Sequence, residues 1–391
     1  MRKGALSAAV FAASGVMALA ACGSSSSSSS PSATAGGGTS GGMTGSTSAA
    51  TTSGGATAGG STVDGKGAKV GIILPDRTTS NRWISTDPDA LAERCKADNL
   101  DCDIQNANNS ATTMATQADT MMNNGVKVLM LVNLDSASAA KIQEKAKAKG
   151  IITIDYDRLT LGGSASLYVS FDNVKVGELQ GQTLTQCPQV KGKSAVNYVQ
   201  LNGAPTDNNA TLFAQGYDSV LSKQSGWKKI AEQSIANWDN TQAGITFTSM
   251  YQKNPDINAV MVANDGMAGP VITALAKQKK AGSVAVSGQD ATVEGLQRIM
   301  QGTQCFTIYK PSKGEAYPAV DAAARFATGQ LPTTTATVTD TQTGRKVPAI
   351  LATPIAITQA NVAEPINDGY TPKATTCANT FAALCTRFGV K

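Results

Sequence analysis

Short apolar runs alternate with longer segments of helical period along the chain from Lys69 onward. Most of the runs are rich in Val, Ile, Leu, Tyr or Phe, which is typical of β-strands. We predict strands at Val70 to Leu74, Asp103 to Gln105, Val126 to Val132, Ile151 to Tyr156, Leu167 to Phe171, Ala195 to Val199, Ala259 to Ala263, Val284 to Ser287 and Phe306 to Tyr309. Strands that alternate with helices form parallel sheets with helices on both faces. Because there are too many strands for one comfortable sheet, the predicted fold class is α/β with two doubly wound parallel-sheet lobes.

One segment between predicted strands shows the helical pattern clearly. Its apolar residues recur at i, i+3, i+4 and i+7 before Gly125 ends the helix. The residues of this pattern are Ala111, Met114, Ala115, Ala118, Met121 and Met122. Methionine at this spacing is typical of a packed core, so we expect these side chains to be buried rather than to bind a soft metal or haem.

The first residues have the pattern of an export signal. Two basic residues precede an apolar run from Ala5 to Ala21, which is too short for a comfortable membrane span of about 20 residues. The run ends in Leu-Ala-Ala-Cys at positions 19–22, which has the form of a bacterial lipoprotein cleavage box. We therefore predict a lipoprotein signal peptide at residues 1–21 and a lipid on Cys22. The alternative is an ordinary signal peptide followed by an incidental cysteine.

Residues 22–67 consist, after the cysteine, almost entirely of Ser, Gly, Thr and Ala. Such a composition cannot bury enough apolar surface to offset the entropy of ordering, so we predict a disordered tether. A flexible coil of about 45 residues has an end-to-end distance of roughly 35 to 40 Å. The protein should therefore be exported and anchored to the outer face of the cell membrane by lipid on Cys22.

The remaining cysteines are even in number and fit the exported location. They are Cys95, Cys102, Cys187, Cys305, Cys377 and Cys385. In an oxidising compartment they indicate three disulfides, for which six cysteines allow 15 pairings. Proximity along the chain favours Cys95 with Cys102 and Cys377 with Cys385, which leaves Cys187 with Cys305. No CxxC spacing occurs in the sequence, so we do not predict a redox-active or zinc-ribbon site.

The composition excludes several classes of function. The chain has 391 residues and no histidine, which excludes Ser/His/Asp and Cys/His catalytic systems and imidazole zinc sites. Its formal net charge of +5 is too small to indicate a nucleic-acid partner. The sequence also lacks a phosphate-binding Gly-rich loop and an EF-hand-like calcium loop. We therefore predict no cofactor, no metal and no nucleic acid.

Polar residues follow several of the predicted strands, at the edge where open parallel sheets bind ligands. They are Ser80, Asn81 and Arg82, then Asp157 and Arg158, then Asp207, Asn208 and Asn209, then Asn264 and Asp265, then Asp290, and finally Lys310. Carboxylates and amides bond vicinal hydroxyls, and Arg and Lys donate charge-assisted hydrogen bonds. Trp83 and Trp238 lie nearby and can cover the apolar face of a sugar ring. The set is typical of a site for a polyhydroxylated ligand.

An ordered series of motifs runs from about Lys69 to Val362. The motifs are Tyr156-Asp157-Arg158, Ser170 to Asn173 followed by Lys175 to Gln180, Asp207 to Ala210, Asn264-Asp265, Ser287 to Ala291, and Gly302 to Gln304 leading to Tyr309-Lys310-Pro311. Their order and composition resemble those of the class I periplasmic sugar-binding proteins of ABC transporters, the ribose/galactose type, and most closely the xylose binders of that class.

The resemblance implies two similar lobes of the type I periplasmic binding protein fold, joined by a three-strand hinge, with a sugar held in the cleft. We expect the N-terminal lobe at residues 68–172 plus 311–352 and the C-terminal lobe at residues 173–310 plus 353–391. The chain should cross between the lobes near Phe171 to Asn173, near Lys310 to Pro311 and near Thr353 to Ile355.

Carried over position by position, the resemblance also implies the ligand-binding residues. Arg82 should bond sugar hydroxyls, Trp83 should stack on the ring, and Asp157 and Arg158 should hold hydroxyls from the first lobe. The second lobe and the hinge should close the pocket with Asn208, Asn209, Trp238, Asn264, Asp290 and Lys310. The sequence departs from the pattern at Asn81, where xylose binders tend to have an acidic residue, which affects the identity of the sugar more than the fold.

Several of these residues also fit structural roles. Arg158 could form an ion pair with the adjacent Asp157, and Asn264 could cap the helix that follows it. Asp172 and Asn173 fit the hinge and the next helix cap better than the ligand. These interpretations compete with direct ligand contact, although capping and binding can coexist in one residue.

The leading hypothesis is a lipid-anchored, monomeric binding protein for a monosaccharide, D-xylose or a similar aldopentose or aldohexose, which it presents to an ABC transporter permease. No bond is made or broken in this role, so we do not predict an enzyme. One alternative is a receptor that reports a sugar or autoinducer to a membrane sensor. A glycosidase needs only two carboxylates, but nothing in the sequence marks such a pair. A transcriptional regulator is not favoured, because a signal and a tether occupy the place of a helix-turn-helix.

Overall fold

The computed structural model describes residues 61–391. The predicted signal peptide at residues 1–21, Cys22 and the predicted tether up to residue 60 lie outside the described residues. None of the helices between residues 61 and 391 combines the length and apolar character that crossing a membrane requires.

Strands and helices alternate along most of the described chain, as the sequence pattern predicts. The strands are β1 (Lys69–Leu74), β2 (Asp101–Asn106), β3 (Val128–Leu131), β4 (Ile152–Tyr156), β5 (Leu167–Phe171), β6 (Val196–Asn202), β7 (Trp227–Ser234), β8 (Ala259–Val262), β9 (Ala285–Val286), β10 (Thr307–Tyr309), β11 (Ala336–Thr339), β12 (Lys346–Ala352) and β13 (Ile355–Ile357). The helices are α1 (Thr86–Ala97), α2 (Ala111–Asn123), α3 (Ser136–Ala148), α4 (Asn173–Gln186), α5 (Asn208–Leu221), α6 (Asn240–Lys253), α7 (Asp265–Lys277), α8 (Val293–Gln301), α9 (Ser312–Ala327), α10 (Glu364–Asn367), α11 (Lys373–Thr376) and α12 (Ala382–Arg387).

The first sheet has seven strands in the order β11-β12-β5-β4-β3-β1-β2, and every pair except β11 with β12 is parallel. Ile72 packs in a cluster with residues of α1 and α9, whereas its neighbour Ile73 packs in a cluster with residues of α2 and α3. Because adjacent residues of a strand face opposite sides, helices cover both faces of this sheet. Met114, Met121 and Met122 are buried in the second of these clusters, which confirms their predicted core role.

The second sheet has four parallel strands in the order β7-β6-β8-β9. A backbone bond from Cys305 N to Val286 O (2.9 Å) continues it toward β10, which pairs with β13 in antiparallel fashion. Helices α4 and α5 pack so tightly on each other that a side chain has no room at Gly177. A Cβ atom there would lie 2.1 Å from the carbonyl oxygen of Phe213. Together the two sheets confirm the predicted α/β fold with doubly wound parallel sheets.

The chain passes three times between the two sheets. It leaves the first sheet after β5 and enters α4, returns from β10 into α9, and leaves again from β12 into β13. Asp172 caps α4, since its Oδ1 accepts a hydrogen bond from Lys175 N at 3.0 Å. Asn173 donates to Tyr168 OH (3.0 Å) and to Asn209 Oδ1 (3.0 Å), so it links the first passage to α5.

The first described residues contact the C-terminal end of α1. Val63 N donates to Asp98 Oδ1 (3.0 Å), Gly65 N donates to Asp98 O (2.7 Å), and Arg94 Nη2 donates to Ser61 O (3.0 Å). Although composition assigns residues 61–67 to the tether, these bonds hold them on the fold, because a backbone group of any sequence can pair.

Three disulfides join Cys95 to Cys102, Cys187 to Cys305 and Cys377 to Cys385, with Cα atoms 6.2, 6.0 and 5.7 Å apart. The first and third are the pairs that proximity along the chain favours, and the second is the pair that this choice leaves over. The distances lie in the usual range for disulfides.

The sequence pattern does not predict four of the strands: β7, β11, β12 and β13. Strands β7 and β11 form sheet edges, and most of the side chains of β7 are exposed or half-buried. Edge strands carry polar residues that prevent pairing with other chains, which hides their strand pattern. Strand β12 contains Pro348, which faces the edge strand β11 and weakens the strand signal in the sequence.

Candidate ligand-binding site

A cavity lies where the carboxyl ends of the two sheets meet, which is where parallel α/β folds bind ligands. Its lining residues are Thr79, Ser80, Arg82, Trp83, Asp157, Arg158, Asp207, Asn209, Phe213, Trp238, Asn264, Gln289, Asp290 and Lys310. A larger cavity beside the Cys187–Cys305 bridge is lined by uncharged residues, among them Gln186, Gln189 and Thr358. We place the candidate site in the first cavity, because charged and polar side chains from many elements converge there.

Arg82 is held by three carboxylates beyond the end of β1. It lies in a 3₁₀ turn, Asn81–Trp83, with only 2% of its surface exposed. Its Nε donates to both oxygens of Asp87 (3.1 Å), its Nη1 donates to Asp157 Oδ2 (2.8 Å), and its Nη2 bonds Asp87 and Glu315. Burial acts to lower the pKa of Arg82, but the three carboxylates outweigh it and raise the pKa well above its ordinary value. The guanidinium therefore stays charged and fixed in orientation.

Further side chains orient the carboxylates around Arg82. Tyr156 OH donates to Asp87 Oδ2 at 2.9 Å, and Ser312 Oγ bonds Asp87 Oδ1. Burial raises the pKa of Glu315 to about 8, against the charge of Arg82 and with the support of the neighbouring carboxylates. Glu315 is therefore the member of this network whose charge responds most readily to pH.

Asp157 and Arg158 form a bend after β4. Asp157 has a φ of 63°, which is uncommon outside glycine, and its carbonyl accepts hydrogen bonds from Tyr168 OH (3.0 Å) and Ser170 Oγ (2.7 Å). The two side chains pair with different partners, because Asp157 bonds Arg82 and Arg158 Nε lies 3.0 Å from Asp207 Oδ2. The bend thus presents a carboxylate and a guanidinium to the cavity rather than an Asp157–Arg158 ion pair.

Asp207 joins the second sheet to the first-sheet side of the cavity. Its Oδ1 accepts from Asn209 N at 2.9 Å and so caps α5, while its Oδ2 accepts from Trp238 Nε1 at 3.2 Å. Burial raises the pKa of Asp207, and the charge of Arg158 opposes that rise. One buried carboxylate therefore holds a helix terminus, an aromatic ring and the cation on the opposite side.

Trp238 forms an apolar wall of the cavity on a bent backbone. Asn237 and Trp238 have φ values of 55° and 54°. Gly203 makes room for the ring, since a Cβ atom at Gly203 would lie 2.1 Å from the ring atom Cη2 of Trp238. The ring meets Phe213 edge-on with centroids 6.5 Å apart, so two aromatic side chains cover this side.

Asp290 lies on a second bend, after β9. Its φ is 94°, its Oδ1 lies 3.1 Å from Lys310 Nζ, and its Oδ2 accepts from Ser80 Oγ at 2.9 Å. Lys310 Nζ in turn lies 5.7 Å from the centre of the Phe213 ring. The carboxylate therefore contacts residues from both sides of the cavity.

Four polar contacts cross the cavity. Besides Arg158 with Asp207 and Ser80 with Asp290, Asn264 Nδ2 donates to Thr79 O (3.2 Å) and Asn209 Nδ2 donates to Asp157 O (3.0 Å). Asn264 also caps α7, because its Oδ1 accepts from Met267 N at 2.9 Å. Capping and lining the cavity therefore coexist in Asn264, and the four contacts hold the two sides together.

The structure brings nine of the ten predicted ligand-binding residues to the cavity lining. Asn208 is the exception, because it is the half-buried first residue of α5 and Asn209 takes the position that faces the cavity. Successive residues of a helix point about 100° apart, so only one of the two adjacent amides can face inward. Contact of the nine with a ligand remains a prediction.

Five lining residues were not among the predicted ligand-binding residues: Thr79, Ser80, Asp207, Phe213 and Gln289. Four of them lie in or beside the polar stretches that follow strands, so the position of these stretches was a signal for them. Phe213 lies four residues after Asn209 on α5, so helical spacing places it on the same face.

One polar atom of the lining has no partner, and two others are engaged by an opposite charge. Within residues 61–391, Gln289 Oε1 is buried without a hydrogen bond, whereas Arg158 Nε and Asp290 Oδ1 lie in ion pairs with Asp207 (3.0 Å) and Lys310 (3.1 Å). Buried polar atoms are usually satisfied, so the free amide oxygen indicates a ligand that donates a hydrogen bond. Among these residues no group of three or more Cys, Asp or Glu side chains is arranged to hold a metal ion.

The chain is similar to known binding proteins over most of its length. The family model described as periplasmic binding protein domain matches residues 70–331. The D-xylose-binding periplasmic proteins of Escherichia coli (strain K12) and Haemophilus influenzae are 35% and 32% identical to it, covering 78% and 79% of this chain and 91% and 92% of theirs. A carbohydrate transporter solute binding protein from Chloroflexus aurantiacus, solved in complex with D-glucose, has a TM-score of 0.71 and 26% identity, covering 78% of this chain and 97% of that one. The chain therefore belongs to the periplasmic binding protein family, and it is a binding protein, not an enzyme.

Proposed function

We propose that this protein captures a monosaccharide, D-xylose or a similar aldopentose or aldohexose, in the cavity between its two sheets. The observation that carries the proposal is the convergence of charged and polar side chains on one cavity, among them Arg158, Gln289 and Asp290, beside the aromatic wall of Trp238 and Phe213. Sugar hydroxyls both donate and accept, and the C–H face of the ring packs on aromatic side chains. The sugars named for the relatives and for the similar structure, D-xylose and D-glucose, are of this class.

The direct ligands that we propose are the nine predicted residues that line the cavity, together with Gln289. Arg82 has a special position among them, because three carboxylates already engage its guanidinium and leave it few free donors. Its main effect on a sugar should come through Asp157, whose carboxylate it holds. Asp290 and Arg158 each pair with one opposite charge, Lys310 and Asp207, so they should contribute more direct hydrogen bonds.

We also propose that binding closes two lobes, residues 68–172 plus 311–352 and residues 173–310 plus 353–391, around the sugar. The three passages of the chain between the sheets supply the hinge. The four contacts that cross the cavity belong to the closed form. A sugar shifts the equilibrium toward that form only by its differential affinity for it, so these contacts and the ligand act together.

The delivery step that we propose is presentation of the closed, monomeric form to an ABC transporter permease. The lipid on Cys22 would keep the protein at the outer face of the membrane, near that permease. Each buried CH₂ group of a lipid chain contributes about 0.8 kcal/mol to membrane binding, so an anchor with more than one acyl chain would be stable.

Calorimetric titration tests the binding proposal. The purified full-length protein is titrated with D-xylose, D-glucose, D-galactose, D-ribose and L-arabinose, and the titrations are repeated with Asp290→Ala. We expect one-to-one binding of at least one sugar and its loss in the variant. The matched control is Asp119→Ala, which removes an exposed carboxylate paired with Lys145 at 3.0 Å, and it should bind like the wild type. Absence of binding to every sugar would overturn the monosaccharide assignment.

Membrane fractionation and uptake test the anchoring and delivery proposals separately. Cys22→Ser should release the protein from the membrane fraction while leaving its sugar affinity unchanged. Cells that lack the protein should lose uptake of the identified sugar at low concentration and regain it with the wild-type gene. Uptake that is unchanged without the protein would contradict the transport role and favour signalling to a membrane sensor.

A further inference from the structure

The C-terminal segment of the chain, residues 361–391, contacts the bend that carries Asp290. Asp290 and its neighbour Ala291 have φ values of 94° and 47°, so two consecutive residues other than glycine adopt left-handed backbone conformations. Such conformations persist only where the surrounding structure determines them. The bend therefore depends on whatever holds its backbone.

Four hydrogen bonds hold the backbone of this bend, and they come from two sides. On one side, Asp290 N donates to Ile308 O (2.8 Å) and Ala291 N donates to Thr307 Oγ1 (3.1 Å), so β10 fixes both amides. On the other side, the C-terminal segment fixes both carbonyls. Tyr370 OH donates to Asp290 O (3.0 Å), and Thr371 Oγ1 donates to Ala291 O (2.9 Å).

The C-terminal segment is itself held firmly in this position. The ring of Tyr370 packs edge-on against Tyr309 of β10 with centroids 4.8 Å apart, and Tyr370 N donates to Asp368 Oδ1 at 3.0 Å. Beyond it, Gln297 of α8 donates to Thr376 O at 3.0 Å, directly before the Cys377–Cys385 bridge. The segment is thus attached to α8, which follows the bend, and to β10, which holds the amides of the bend. Burial raises the pKa of Tyr370 well above its ordinary value, which keeps its hydroxyl protonated and able to donate.

We propose that Tyr370 and Thr371 are positioning residues of the sugar site, which act by holding the Asp290–Ala291 bend so that the Asp290 carboxylate faces the cavity. This inference rests on the proposed function, since it assigns them an effect on sugar affinity through Asp290. It extends the site to a part of the chain that does not line the cavity. The C-terminal segment would then set affinity and selectivity among sugars without touching them.

Two measurements on Tyr370→Phe and Thr371→Val test the proposal. The first is amide hydrogen exchange of the segment from residue 286 to residue 296 in the full-length protein without added sugar. We expect exchange of the bend amides to become at least about tenfold faster in both variants, because the carbonyls lose their donors. The second is calorimetric titration with the sugar that the wild type binds, where we expect an affinity lower by about fivefold in each variant.

Tyr217→Phe is the matched control. It removes a buried tyrosine hydroxyl that bonds Asn202 in the second sheet and does not contact the bend. It should lower thermal stability about as much as Tyr370→Phe does, but it should change neither exchange at the bend nor sugar affinity.

Each outcome decides the proposal. Unchanged exchange at the bend in both Tyr370→Phe and Thr371→Val would overturn it, whatever the titrations show. If the wild type binds a sugar and the variants show faster exchange but the same affinity, the proposal is also overturned, because the bend would then not control the site. If the wild type binds none of the sugars, the proposed function fails, and the exchange experiment still decides whether the C-terminal segment holds the bend.

Discussion

The two sides of the cavity are built by different physical means. On the first-sheet side, a single buried guanidinium, Arg82, is surrounded by Asp87, Asp157 and Glu315, so charge fixes the geometry. On the second-sheet side, two left-handed bends carry Trp238 and Asp290, and single hydrogen bonds from Trp238 to Asp207 and from Tyr370 to Asp290 O, together with aromatic packing, hold them. The first side is a network of ions and the second is a set of bent loops.

This difference predicts different consequences of mutation on the two sides. Removing the central ion of a buried network leaves its partners uncompensated, so folding and binding should fail together. Loosening a loop removes one neutral hydrogen bond and moves one side chain, so binding should weaken while the fold persists. Stability and affinity should therefore be coupled on the first-sheet side and separable on the second.

The largest effect is expected from Arg82→Met. This change leaves Asp87 and Asp157 as buried charges without their cation, so it should lower the free energy of unfolding by about 3 to 5 kcal/mol. Urea denaturation followed by circular dichroism measures it. Lys145→Met is the control, because it removes an exposed cation paired with Asp119 and should cost less than about 1 kcal/mol. An unchanged urea midpoint in Arg82→Met would break the comparison.

The two short disulfides allow a matched test of the same difference. The double substitutions Cys95→Ala with Cys102→Ala, and Cys377→Ala with Cys385→Ala, each open a loop of similar length and should each cost roughly 2 to 3 kcal/mol of stability. Only the second pair lies in the segment that reaches the Asp290 bend, so only that variant should bind sugar more weakly. Thermal unfolding and calorimetric titration of both variants supply the data. Equal affinities in the two would contradict the role of the C-terminal segment.

A smaller effect is expected from Asp207→Asn, which tests the contact between the two sides. The variant keeps the cap on α5, since an asparagine oxygen can accept from Asn209 N, but it loses the ion pair with Arg158. Sugar affinity should fall about tenfold, and stability should fall as well because Arg158 is left as a buried cation without its carboxylate, while small-angle scattering should show a larger radius of gyration. Asp135→Asn, at the cap of α3, is the control and should change none of these quantities. An unchanged affinity in Asp207→Asn would show that this pair does not help closure.

The smallest effect is expected from Glu315→Gln, and it depends on pH. Because the pKa of Glu315 is raised from 4.5 to about 8, the folded state binds more protons than the unfolded state between these values. The contribution of this group to stability is therefore complete below about pH 4.5 and is lost as pH rises through about 8. Near pH 6, Glu315→Gln should lie within about 1 kcal/mol of the wild type, since the amide resembles the protonated acid.

Urea denaturation of Glu315→Gln and the wild type at pH 6, 7, 8 and 9 checks this. The stability of the wild type should decline above pH 7 more steeply than that of the variant. Asp155 and Asp265, whose pKa values burial raises to about 6, lose their contributions at lower pH and are common to both proteins. Identical slopes above pH 7 would mean that Glu315 is already ionised there.

Sequence alone predicted the central part of the fold well and its edges poorly. Buried central strands are continuous apolar runs, so β5 was predicted with its observed bounds and β1 within one residue. The side chains of the edge strands β7 and β11 are exposed or half-buried and many are polar, so no apolar run marks these strands. Only two residues separate strand β13 from the end of β12, so its three residues do not stand out as a separate apolar run.

The candidate site divides in the same way. Residues that follow a strand, such as Asp157 and Asn264, could be predicted because the end of the strand places them at the sheet edge. Residues that act through another residue could not. Glu315 lies on α9 at a separation of 233 residues from Arg82, and Tyr370 lies 80 residues from Asp290, so only the folded chain reveals these pairs.

The pairing of β12 with β5 determines when the first sheet can be completed as the chain is synthesised. Ala349 lies opposite Tyr168 in this parallel pair, so every strand of the second sheet is made before the first sheet can be closed. Until β12 arrives, the edge of β5 stays open, and open edges pair readily with other chains. If the second sheet folds first, it brings the end of β5 close to the start of α9. The loop that must close for β12 to pair with β5 is then shorter, and its closure costs less entropy. The late arrival of β12 should therefore make early folding of the second sheet a safeguard against aggregation.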